Sequence, residues 1–131
     1  MALDVNYVNE SYLVGRLVAC VELVQIKASP RCMFSCSNKT QAIFNFTTAT
    51  IANIMSNVYF HNLSFLKLNG EKEFVKDTDN IVGDIFCKFA DNLPKRIKEQ
   101  DKYFVGYYQQ KQHFTNVYGK ELYYKDLESE D

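Results

Sequence analysis

The chain has 131 residues, enough for one domain with its own core and short for two. Hydrophobic residues at 47% and aromatics at 15% exclude a wholly disordered chain, and no window is long and apolar enough to span a bilayer. The net charge of −1 conceals segregated signs: no acid lies between Glu22 and Glu71, a span that holds Lys27, Arg31, Lys39 and Lys67. A second basic group follows at Lys95, Arg96 and Lys98, while residues 120–131 hold five acids against Lys120 and Lys125. The opening MALDVNYVNES lacks the basic and apolar regions of a signal peptide. The expectation is a cytoplasmic protein, with Cys20, Cys32, Cys36 and Cys87 as reduced thiols.

The first helix is expected to start at Asn9 or Ser11, both able to cap free amides, and to run to Lys27 or Ala28. Leu13, Leu17, Cys20, Val21 and Val24 gather on one face, flanked by Gly15 and Ala19, where another backbone has room to approach. Pro30 closes the element. Residues 29–39 read as a polar loop. Next comes TQAIFNFTTATIANIMSNVYFHNLSFLKLN, whose threonines and β-branched residues suit a strand by propensity. Its period argues for a helix opening at Thr40, with Ile43, Thr47, Ile51, Ile54, Val58 and Phe65 on one side and a break near Asn57 to Asn62.

Gly70 to Asp77 reads as a charged turn, after which Asp77 or Thr78 opens an amphipathic helix. Ile81, Val82, Ile85, Phe86, Phe89 and Leu93 face inward there, Asp84, Lys88 and Asp91 face water, and Pro94 is the stop. The last helix spans about Ile97 to Tyr118, with Gly119 as its terminator. On its wheel Tyr103, Phe104, Tyr107, Tyr108, Phe114 and Tyr118 share one sector, which reads as a core-facing aromatic stripe. Gln109, Gln110, Gln112 and His113 lie outside that sector, and Gly106 offers close approach on another face. Lys111 projects from the aromatic sector, so its ammonium must snorkel past the rings or stack on one. The pattern is an all-α, single-domain bundle of four or five helices over residues 1–119, followed by a flexible acidic tail at 120–131.

Chemistry-bearing constellations are sparse. Cys32 and Cys36 with His61 and His113 lack the paired spacing of a zinc site, and no cofactor is expected. There is no G-x-S-x-G, H-E-x-x-H or Walker-type glycine loop, so the expectation is a protein that is not an enzyme.

Three segments carry a resemblance. YLVGRLVACVELVQ, residues 12–25, is similar to a family's opening helix with a tyrosine, a leucine-glycine-arginine step and a later glutamate. NIVGDIFCKFADNLP, residues 80–94, is similar to a helix carrying I-G-E-I and ending at leucine-proline. IKEQDKYFVGYYQQKQHF, residues 97–114, looks like the E-Q-G-x-F-x-x-G-Y-Y-x-Q-R-Q helix, which Gly106, Tyr107, Tyr108, Gln110 and Gln112 match directly. Together they resemble the small subunit of type I-C CRISPR Cascade effector complexes, which corresponds to the C-terminal helical part of the large subunit. Lys111 stands where that family has arginine, Asp101 where it has glycine, and the middle third matches poorly.

The resemblance implies a non-catalytic subunit that stacks in more than one copy against the large and backbone subunits. It would lie beside guide RNA, target strand and displaced strand, with no membrane involved. Base pairing carries specificity in such complexes, so protein contacts should be electrostatic and sequence-tolerant. The candidate nucleic-acid contacts are Lys27, Arg31 and Lys39 at one corner and Lys95, Arg96 and Lys98 at another, with Lys111 and Arg16 in addition. If the two corners adjoin, they form one phosphate-binding stripe. The alternative is a small helical protein-interaction subunit or inhibitor that binds protein surfaces and never nucleic acid.

Overall fold

The computed structural model describes residues 3–28, 55–89 and 97–119. The described residues form four α-helices: α1 (Glu10–Ala28), α2 (Phe60–Leu68), α3 (Lys72–Lys88) and α4 (Gln100–Tyr118). A π-helical turn, Met55–Tyr59, runs straight into α2. No strand occurs among the described residues, so the architecture is the expected all-α bundle. The loop at 29–39, the helix opening at Thr40, Pro94 and the acidic tail all lie outside them.

Asn9 starts α1 as the composition suggests, its Oδ1 accepting from the Tyr12 amide at 3.0 Å and its carbonyl from the Leu13 amide at 2.9 Å. Every residue from Ser11 to Val24 is buried. A helix apolar around nearly its whole circumference belongs at the centre of a bundle, and α1 touches α2, α3 and α4. The main partner is α4, which runs in the same direction: the pairs Asn9–Glu99, Arg16–Gln110 and Glu22–Lys111 advance together along both chains.

Two glycines set the distance between these helices. A Cβ on Gly15 would strike the Tyr103 carbonyl and stand 2.8 Å from the Tyr107 nitrogen. A Cβ on Gly106 would strike the Tyr12 carbonyl oxygen and stand 3.1 Å from the Tyr12 Cα. Each glycine thus receives the other helix's backbone, as the sequence predicts for both.

The middle of the chain departs from its pattern. The irregularity expected near Asn57 to Asn62 is a π-turn rather than a break, and its extra residue rotates the helix that follows. Met55, Tyr59, Asn62 and Leu66 therefore face inward, while Phe65, expected in the core, is exposed and Val58 is half-buried. Gly70 follows α2 with φ 88°, and the Glu71 amide donates to the Leu66 carbonyl at 3.0 Å, a Schellman closure that needs a residue without a Cβ. α3 then begins at Lys72, about a turn and a half before the expected Asp77, because Phe74 extends the apolar face upstream to Thr78, Val82 and Ile85. α4 ends where expected, with Gly119 at φ 90° and its amide bonded to the Thr115 carbonyl at 2.8 Å.

Burial also tunes titration. The Cys20 thiol is fully enclosed and its pKa is pushed up from 9.0 to about 12. The Tyr59 phenol is raised first by burial and then by the Asp79 carboxylate to which it donates at 3.1 Å. Both groups stay neutral in the fold at pH values where the unfolded chain has released their protons. Stability is therefore full below pH 9 and falls as pH rises towards 12, with Cys20 alone accounting for about 2 kcal/mol by pH 10.5. Urea titrations should give a constant midpoint from pH 7 to 8.5 and a falling one above 9, and Cys20→Ala should delay the fall towards the tyrosine range. A midpoint flat to pH 10.5 would contradict the assignment.

Candidate nucleic-acid interface

Lys98 stands exposed in the segment that leads into α4, with no ion pair among the described residues. One turn on, Lys102 lies over the Tyr7 ring, 5.8 Å from its centroid. These two cations flank the joined N-termini of α1 and α4, where Asn9 Nδ2 donates to Glu99 at 2.6 Å and the Glu99 amide donates to Ser11 Oγ at 3.2 Å.

Lys27 is at the other end. It is half-exposed, 3.9 Å from the Glu71 carboxylate and 5.6 Å from the Phe74 ring centroid. Because α1 and α4 run in the same direction, Lys27 and Lys98 are separated by most of a helix, about 24 Å at 1.5 Å per residue. The described cations of the two corners do not meet in one stripe. Arg31, Lys39, Lys95 and Arg96 lie outside the described residues.

Lys111 takes the stacking route and adds an ion pair to it. Its ammonium sits 5.7 Å from the Tyr107 ring centroid and 3.8 Å from Glu22 Oε1. Arg16 is placed differently from the expectation. It is 2% exposed, inside the bundle, with Nε donating to Gln110 Oε1 at 2.9 Å. Gln110, expected outside the aromatic sector, is 0% exposed. The two face each other across the α1–α4 joint, so each gives the other a polar partner inside the bundle.

The same joint holds a buried carboxylate, which reasoning from the sequence missed. Glu22 is 2% exposed and accepts from the Tyr107 hydroxyl at 2.5 Å. Its one available signal was an acid in the midst of an otherwise apolar run, VACVELV. The aromatic stripe is split accordingly: Tyr103, Tyr107 and Phe114 are buried, Phe104 and Tyr118 half-buried, and Tyr108 is 60% exposed. Tyr108 lies nearly parallel to Phe104, 6.4 Å between centroids, presenting a flat aromatic face to solvent. Among the described residues no group of His, Cys, Asp and Glu is arranged to hold a metal ion, and no helix is long and apolar enough to cross a membrane.

A family model described as CRISPR-associated protein (Cas_Csd1) matches residues 1–115. The chain belongs to that family. No curated protein matches it. Membership supports a CRISPR-related role and a place in a CRISPR complex, and is consistent with a Cascade-type subunit. It also gives the three sequence segments a physical meaning. Tyr12, Gly15, Arg16 and Glu22 of the first segment face Gly106, Tyr107, Gln109 and Gln110 of the last. The residues that carry the resemblance are, in the main, those that lock α1 to α4, whereas Tyr108 and Gln112 are left to face outward.

Proposed function

We propose that this member of the Cas_Csd1 family is the non-catalytic small subunit of a type I-C Cascade complex. On this reading it works in the cytoplasm, bound to the large and backbone subunits and to further copies of itself. It contacts the guide RNA–target duplex and the displaced strand through backbone phosphates, leaving sequence discrimination to base pairing. The observation that carries the reading is the family match over residues 1–115 on an all-α chain whose motif residues interlock α1 and α4. Exposed Lys98 beside Lys102, with the open ring of Tyr108 farther along α4, suits a strand held by charge and stacking.

Co-purification with the other subunits and bound guide RNA is the direct test. Replacing Lys95, Arg96 and Lys98 together with glutamate should weaken DNA capture by the assembled complex and flatten its salt dependence by about 0.7 to 0.9 log units for each phosphate that is no longer neutralised. Unchanged affinity and slope would remove these cations from the interface.

A second reading has its own support. Phe60, Phe65 and Leu68 of α2 are exposed, with Leu68 at 87%, an apolar face suited to a protein partner. On that reading the chain binds protein surfaces alone. Heparin retention and a salt-dependent shift with single-stranded DNA separate the two.

A further inference from the structure

Between α4, α3 and the N-terminal segment lies a cleft of about 550 Å³. Arg16 and Gln110 line its floor, and Gln109, Gln112, His113 and Asn116 line its walls. Two features of the floor are unusual. The Arg16 guanidinium forms no ion pair among the described residues, although it is almost wholly buried. Its Nη1, and Nε2 of Gln110 beside it, are also without a hydrogen-bond partner. A buried cation with neither counter-charge nor full hydrogen bonding is strongly disfavoured unless something supplies both.

We propose that this cleft binds a phosphate group, with Arg16 and Gln110 donating to it from below. The charge argument selects an anion over a neutral ligand. The wall chemistry selects phosphate over carboxylate: a planar carboxylate is satisfied by Arg16 and Gln110 alone, whereas a tetrahedral anion has further oxygens for donors on Gln112, His113 and Asn116. Among the described residues no acidic side chain lines the cleft to repel it. Both floor donors are shielded from bulk water, so a bound anion would meet them in a low-dielectric setting where charge-assisted hydrogen bonds are strong. The phosphate is either free or part of a nucleic-acid strand. In the second case the cleft deepens the nucleic-acid reading above and rests on it, adding a contact enclosed by protein to the exposed lysines.

The test uses the full chain and inorganic phosphate, compared with chloride at equal ionic strength. Phosphate should raise Tm saturably in the wild type. Asn116→Asp keeps the acceptor used by Gln112 at the exposed rim and adds a negative charge to the wall, so it should fold normally and lose phosphate affinity at least tenfold. Arg16→Met should abolish the response. Because Arg16→Met also leaves Gln110 Oε1 without its donor, its stability in phosphate-free buffer is read separately, and the phosphate response is the readout that a purely structural arginine would leave unchanged. A short single-stranded oligonucleotide that displaces phosphate supports the strand as source. Phosphate binding with no oligonucleotide binding supports the site with free phosphate as ligand, and counts against the nucleic-acid reading alone. A Tm gain no larger than with chloride, or equal binding by Asn116→Asp, overturns the proposal.

Discussion

Gly106→Ala should destabilise the fold by at least about 3 kcal/mol, and Gly15→Ala by a similar amount. At both positions the added methyl meets peptide backbone of the facing helix, with atoms inside 3.0 Å, and backbone cannot rotate out of the way as a side chain can. The helices have to separate, which also stretches the Arg16–Gln110 and Tyr107–Glu22 hydrogen bonds across the same joint. Domains of this size are stable by roughly 5–15 kcal/mol, so each single variant should lose a large share of the total. Gly83→Ala supplies the contrast. Gly83 is exposed in α3 with nothing within 4 Å of its hypothetical Cβ, so alanine there should stabilise by about 0.5–1 kcal/mol through helix propensity. Urea unfolding of the three variants measures the difference, and equal midpoints for Gly106→Ala and Gly83→Ala would disprove the close packing.

Tyr107→Phe should cost about 2–3 kcal/mol, although it removes a single oxygen. The phenol is the 2.5 Å donor to Glu22, and a buried carboxylate that loses a charge-assisted bond has less to offset its desolvation, even with Lys111 nearby. Glu22→Gln should be milder, because an amide has no charge to solvate and Lys111, partly exposed, can extend its ammonium into water. A double-mutant cycle between the two positions should therefore give a coupling above about 1 kcal/mol. Additivity within about 0.3 kcal/mol would mean the bond contributes nothing.

The ends of the chain were more legible than its middle, for reasons visible in particular residues. Asn9, Gly70 and Gly119 act through local backbone geometry, so a cap, a turn and a stop are written within a few residues of where they operate. The apolar face of α3 was legible as well, apart from the turn preceding Asp77, where charged Lys72, Glu73 and Lys76 mask the single inward Phe74. Phe65 was misplaced because a π-turn adds one residue to the helical count, and a fixed 3.6-residue period cannot register an insertion of that kind.

The candidate site was less legible. A wheel drawn for one helix placed Gln110 outside the aromatic sector and Tyr108 in the core-facing stripe, yet Gln110 is buried and Tyr108 exposed. Gln110 is buried because α1 supplies Arg16 as its partner, a pairing across 94 positions that no local pattern contains. The spacing between basic corners was equally hidden, since it depends on whether α1 and α4 run in the same or opposite directions.

The pairing of the first helix with the last has a consequence for how the molecule is made. Asn9 meets Glu99 across 90 positions, so a growing polypeptide exposes the α4-facing surface of α1 on the ribosome until the residues of α4 have emerged. Bringing such distant partners together carries a large loop-closure entropy and a correspondingly late, slow assembly step. Synthesis that halts before residue 100 would release a fragment with its central rod uncovered, a natural client for chaperones and proteases rather than a smaller working version of the protein.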